Sequence, residues 1–303
     1  MNKKILSLVV AAAIAAPMVA QAELKVSGRF YGEMASVDGD ITAPSGGDSG
    51  HSRLQFDGGD ADASVRMAFN MDAWYTNADG ANNGLLREFM GSVKLGGGNL
   101  YMGRVANAAN SGWNDAFTGT FMEARDKGIM KVGSFKDHRI GFKTKAGDLS
   151  IDASFGPGTG ASNDGTYSIG VAGKMGGINV ALGADNDDTG GAGTGSTSTR
   201  VAVSGDAGGF KWGVEAANAD QEALGGASAT TMDTGLFAQI GGKAADMTWN
   251  VGYGSVTDLK TTFIRAGLIK NMGSKAKVYA GVTSYDDGTG AISSFGAGLR
   301  VDI

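Results

Sequence analysis

Apolar residues in this chain recur at every second position over short segments, and no stretch after residue 22 approaches the roughly 18 consecutive apolar residues of a membrane-spanning helix. Val201 and Val203 alternate with Arg200, Ala202 and Ser204, and Phe210, Trp212, Val214 and Ala216 alternate with Lys211, Gly213, Glu215 and Ala217. The same period runs through Leu149, Ile151, Ala153 and Phe155, through Ile178, Val180, Leu182 and Ala184, and through Met247, Trp249, Val251 and Tyr253. Period two puts each apolar set on one face of a strand. Sixteen such segments start near residues 24, 51, 62, 85, 98, 138, 148, 166, 177, 197, 209, 232, 246, 261, 275 and 293. Each runs about 9 to 12 residues, the length a tilted strand needs to cross a bilayer.

The first 22 residues stand apart. Lys3 and Lys4 precede an apolar run over 5–20, and Ala20-Gln21-Ala22 is an A-x-A cleavage site before Glu23. Together they read as a secretory signal, with 23–303 as one exported domain. Without Lys3 and Lys4 the 26 cations become 24 against 31 acids, a formal charge of −7. That balance argues against a nucleic-acid partner. The chain has no Cys, which excludes disulfide staples and zinc–thiolate sites, and only two His, His51 and His138, so most His-based catalytic or metal constellations are hard to assemble.

Connection lengths carry an independent signal. Short turns near 58–60, 96–98, 146–148, 176–177, 207–208, 244–246 and 271–274 alternate with longer connections rich in Gly, Asp, Ser and Asn, such as 36–50, 185–196 and 220–231. Strict alternation places both termini and every short turn on one side of a barrel and requires an even number of strands. The prolines of the exported domain, Pro44 and Pro157, fall in the long connections, where no ladder N–H is needed. A soluble barrel would bury its apolar face. Here the other face is Gly, Ser, Asn, Arg and Lys, too hydrated for a dry core, and sixteen strands enclose an aqueous lumen. Trp212 and Trp249 follow short turns and Trp74 with Tyr75 closes a strand at the opposite end, as interfacial girdles require. Closure also removes the unpaired edges that hydrocarbon does not tolerate.

With those features in place the chain resembles the general diffusion porins of Gram-negative outer membranes. The family pattern of Leu-x-x-x-Gly-[Lys/Arg] followed by a short Arg-Leu-x-Phe-x-Gly strand is matched by Leu24-Lys25-Val26-Ser27-Gly28-Arg29 and by Arg53-Leu54-Gln55-Phe56-Asp57-Gly58. Arg87 stands where the family's fourth strand begins with Arg, and Gly103-Arg104 where its fifth ends in Gly-Arg. Order and spacing agree over 23–145 and more loosely to the end. Phe295, Ala297, Leu299, Val301 and Ile303 give the alternating closing strand, with Ile303 where the family usually has Phe.

The resemblance implies an all-β fold, a 16-stranded antiparallel transmembrane β-barrel whose third loop, over 105–135, folds inward and narrows the pore. It implies a homotrimer in the outer membrane among lipids and lipopolysaccharide, passing ions and small hydrophilic solutes, with no cofactor and no catalysis. Arg29, Arg53 and Arg87 match the family's wall positions at the constriction, and Lys131, Lys136 and Arg139 are candidates for a further one. The family's Pro-Glu-Phe-Gly-Gly loop stretch is absent, so Asp115, Glu123 and Asp126 are taken as the facing loop acids from location alone. Alternation puts Arg87 in phase with Phe89 rather than Met90, which calls for a bulge if Arg87 is to reach the lumen.

Other motifs are weaker. The run Asp185-Asn186-Asp187-Asp188-Thr189-Gly190 begins like a calcium loop, but position twelve is Ser196 where a bidentate Glu is needed. Gly156-Pro157-Gly158-Thr159-Gly160 lacks the Lys and the strand-to-helix context of a phosphate loop. The same scaffold could carry an outer-membrane enzyme or adhesin. Two His and Gly- and Asp-rich connections favour the channel.

Overall fold

The computed structural model describes residues 24–38, 40–45, 52–70, 86–112, 115–118, 120–124, 129, 135–157, 165–187, 196–220 and 232–303. The elements in chain order are β1 (Lys25–Val37), β2 (Asp40–Ser45), β3 (Arg53–Gly59), β4 (Ala63–Asn70), β5 (Leu86–Leu95), β6 (Gly98–Ala106), β7 (Phe135–Ala146), β8 (Leu149–Gly156), β9 (Thr166–Met175), β10 (Ile178–Asp187), β11 (Ser196–Ala207), β12 (Phe210–Asp220), β13 (Met232–Ala244), β14 (Met247–Val256), β15 (Thr261–Asn271), β16 (Ala276–Asp286) and β17 (Ala291–Asp302). From β3 onward each strand pairs antiparallel with its sequence neighbour, and β17 returns to β1 in register from Arg29 opposite Asp302 to Val37 opposite Ser294. Backbone bonds between Gly28 and Ile303, 2.9 Å in both directions, finish the seam.

Seventeen strands occupy sixteen places. β2 and β3 both pair with β1, β2 with its upper part from Glu33 to Val37 and β3 with its lower part from Lys25 to Arg29, so together they make one wall position. The barrel is closed and sixteen-stranded. Pro44 is therefore a correction: it lies within β2 and not in a connection. It is tolerated because the register slips there, with Ala43 and Pro44 facing the single Met34, and a bulged residue needs no ladder N–H.

The seven short turns lie at one end, with Leu24 and Ile303. At 176–177 and 208–209 both residues are Gly with φ of +57° and +87°, and +59° and +88°. That is the left-handed pair that suits the twist of a tight hairpin. At the other end the alternation of lengths fades after β13, since 257–260 and 287–290 are only four residues each.

The packing is inside out. Val26, Phe30 and Met34 on the outer face of β1 are 53%, 54% and 55% exposed, and Leu182, Val214, Ile240, Ile264 and Phe295 continue that apolar belt around the barrel. Trp212 and Trp249 sit on the outer face near the short turns, with Trp249 edge-on to Phe210 at 6.0 Å. The buried groups are polar and ionic instead: Glu33, Asp115, Arg139, Arg200, Glu215 and Arg265. Among the described residues, apolar clusters form where the segment after β6 packs on the inner wall. One joins Ala124 and Ile129 to Phe237, Val256 and Phe263, and another joins Phe117, Phe121 and Met122 to Tyr279.

Candidate functional site: the lumen and its inward segment

On the inner wall, Arg29 of β1 stands directly opposite Arg53 of β3, and Arg53 opposite Asn70 of β4. Arg87 reaches the same level, its Nη1 3.5 Å from the Asn70 Oδ1. It does so through a register shift between Ala68 and Phe69 of β4, which pair with Glu88 and Leu86 and leave Arg87 as the extra residue. The bulge that the alternation called for is there. Three guanidiniums thus lie side by side, and the charges acting on Arg87 include those of Arg53, Arg29, Glu88 and Glu123.

Like charges at this spacing need counter-charges, and the neighbouring strands supply them. Arg29 Nε lies 3.2 Å from Asp302 Oδ1, and Arg300 Nη2 lies 2.9 Å from the same oxygen. Both guanidiniums also stand over the Tyr31 ring, at 5.7 and 5.6 Å, a favourable placement for a cation. Next along the wall, Arg66 holds Asp57 at 2.7 Å and reaches Glu88 at 4.0 Å.

The segment after β6 is fastened to the inner wall at three places. At the first, Arg200 of β11 pairs with Glu215 and donates to the carbonyls of Ala109 and Ser111 at 3.1 and 2.9 Å. Asn107 caps the short 3-10 turn at Ala108–Asn110 through a bond from Ala109 N. At the second, Arg265 of β15 binds Asp115 at 2.5 Å, with both side chains fully shielded, and donates to the Met122 carbonyl at 2.8 Å and to Gln239 at 2.9 Å. The Phe117 and Phe237 rings flank it, each 5.0 Å from its guanidinium carbon. At the third, Glu33 of β1 accepts from Phe121 N at 3.1 Å and from the Tyr279 hydroxyl at 2.9 Å. Gly267 makes room for the second of these contacts: a Cβ there would come within 2.5 Å of the Phe117 ring.

The residues expected at the constriction therefore separate. Arg29, Arg53 and Arg87 come together on one wall, and Glu123 is buried on the inward segment within electrostatic reach of Arg87. Asp115 is a correction, because its carboxylate is consumed by Arg265 and by the amides of Phe117 and Ala124 at 2.8 and 3.1 Å, so it tethers the segment and does not face water. Asp126 and Lys131 lie outside the described residues, as does the Lys136 side chain. Arg139 does face inward on β7 but is 2% exposed, with Nε and Nη1 lacking a hydrogen-bond partner among the described residues. Sequence reasoning missed the tethers Arg200, Arg265 and Glu33. Their signal was a charged residue on a lumen face that carries little except Gly and small polar groups.

A sequence profile of Gram-negative porins matches residues 7–291. No curated protein matches the chain in sequence. Among solved structures, the anion-selective porin from Comamonas acidovorans superposes with a TM-score of 0.73 at 13% identity, covering 93% of this chain and 100% of that one. The trimer form of in-vitro folded OmpT, an outer membrane protein of Vibrio cholerae, gives 0.68 at 15% identity over 93% and 99%. Salmonella typhi OmpF in complex with daunomycin gives 0.64 at 14% over 92% and 97%. Those identities speak for the fold. The match of the profile to nearly the whole chain, on a closed sixteen-stranded barrel with an apolar outer belt, makes this protein a member of the Gram-negative porin family of the outer membrane.

Proposed function

We propose that the chain is a passive, water-filled channel for ions and small hydrophilic solutes, doing no covalent chemistry and needing no cofactor. What supports this most is the tethered segment. Two buried arginines and a buried glutamate hold it against the inner wall of a barrel that also carries a row of three guanidiniums, which supports a lumen narrowed by a fixed element and lined by charge. Fixed charges of opposite sign across a narrow aqueous path filter solutes by size and charge. In this reading Arg29, Arg53 and Arg87 form the wall of the constriction, with Glu123 facing them.

The same reading makes residues 1–22 a cleaved export signal and the working form a homotrimer embedded among outer-membrane lipids and lipopolysaccharide. Liposomes carrying the purified protein, placed in isotonic solutions of sugars of increasing size, test the channel. Swelling rates should fall steeply with sugar size. Liposomes that swell no faster than protein-free ones would overturn it.

A further inference from the structure

The lumen is not uniformly charged along its axis. Lys94, Lys145, Lys174 and Lys243 are each the penultimate residue of a strand that runs down into a short turn, on β5, β7, β9 and β13. Register places all four on the lumen face. Lys94 is in phase with Ser92, opposite Tyr101, and Lys145 with Lys143, opposite Asp152. Lys174 is in phase with Ala172, opposite the buried Ala181, and Lys243 with Gly241, opposite Asn250. Lys25, at the foot of β1, is in phase with Arg29. None of the four strand-end lysines has a carboxylate within ion-pair distance among the described residues.

The lumen carboxylates of this half are already engaged. Asp57 is held by Arg66, Asp152 by the Tyr101 hydroxyl at 2.5 Å and Lys143 at 3.8 Å, Asp206 by Lys211 at 3.3 Å, and Asp302 by Arg29 and Arg300. In the turns, Asp246 is held by Lys270 at 2.8 Å, and Asp60, Asp62 and Asp148 are the remaining acids. Lys25, Lys275 and Lys277 add to the four lysines on the other side of the balance. At the opposite end the described acids are Asp38, Asp137, Asp185, Asp220, Asp233, Asp258, Asp286 and Asp287, and they outnumber the described cations Arg53, Arg87, Arg104, Arg139 and Lys260.

We propose that the lysine collar makes the short-turn mouth an anion-accumulating vestibule, which gives the pore a preference for small anions carrying carboxylate, sulfate or phosphate groups and makes conduction depend on polarity. This rests on the channel reading above and deepens it. Several like charges around one aqueous ring add their potentials over a Debye length of about 8 to 10 Å, so the preference is strongest at low salt. An acidic rim in series with a basic collar fills with mobile ions under one polarity and empties under the other.

The test compares three proteins in planar bilayers: the unmodified chain, a Lys94→Gln/Lys145→Gln/Lys174→Gln/Lys243→Gln variant, and the same four positions changed to Arg. Reversal potentials in a potassium chloride gradient around 0.1 M should show anions favoured roughly threefold in the unmodified protein. The Gln variant should lose about half or more of that preference and its rectification, and the Arg variant should keep both. Sulfate added on the collar side should reduce chloride current more than sulfate added on the other side, in the unmodified protein alone. Conductance near 1 M salt, where charges are screened, should be alike in all three and shows that the variants are folded. An unmodified pore that conducts but favours cations, or a conducting Gln variant with the same reversal potential, overturns the collar and leaves the channel reading standing. No conductance from any of the three overturns both.

Discussion

Arg29 and Arg53 meet as cross-strand partners, an arrangement whose repulsion is offset by the Asp302 carboxylate beside Arg29. A unit charge about 5 Å from a permeating ion in water-like dielectric is worth roughly 0.8 kcal/mol before screening. Replacing both with Ala should widen the pore, raise conductance and move the cation-to-anion ratio toward cations by roughly twofold to fourfold per charge. Lys270→Ala, on the outer face of β15, should leave both readings as they are, and equal effects from the two changes would place the constriction elsewhere. Arg265 answers a different question. Its guanidinium and the Asp115 carboxylate are fully shielded, so Arg265→Ala strands a buried charge at a cost of about 3–5 kcal/mol. Heat unfolding should begin earlier and single-channel current should become noisier as the inward segment loosens. A quiet channel that melts as the unmodified protein does would show that the other two tethers suffice.

At the scale of the element, the turn between β3 and β4 shows how side chains finish a hairpin. Asp60 accepts from the amides of Asp62 and Ala63 at 2.8 and 2.9 Å, and those bonds hold its carboxyl below the usual carboxylate range. A carboxyl lowered by folding contributes stability that is complete above its unfolded pKa, about 3.9, and lost as pH falls through the lower folded value. Hydrogen exchange at Asp62 and Ala63, corrected for intrinsic rates, should therefore quicken below about pH 4, and Asp60→Asn should flatten that dependence. A pH-independent turn would mean that backbone geometry alone holds it. All sixteen wall positions were legible in the chain because alternation and Gly-marked short turns are local signals. β2 was not legible, since its pairing depends on a bulge opposite Met34 that Pro44 tolerates but does not announce. Nor could location distinguish Asp115 from Glu123. Which loop acid meets a cation is decided by Arg265, 150 positions away on β15.

The whole molecule is an inverted globule, with apolar side chains outside and ion pairs inside, and that inversion requires hydrocarbon around it and water within. A trimer would cover part of the outer belt. Native electrophoresis should show a species of three chains that heat converts to one, and fully conducting monomers in native mass spectrometry would show that the barrel works alone. The measurement closest to the central claim is current through a planar bilayer to which purified protein has been added. The account predicts discrete, stable upward steps of uniform size, whose height grows with bulk salt conductivity as expected of a water-filled path. A bilayer that stays silent with correctly folded protein, or steps that saturate as salt rises, would contradict it.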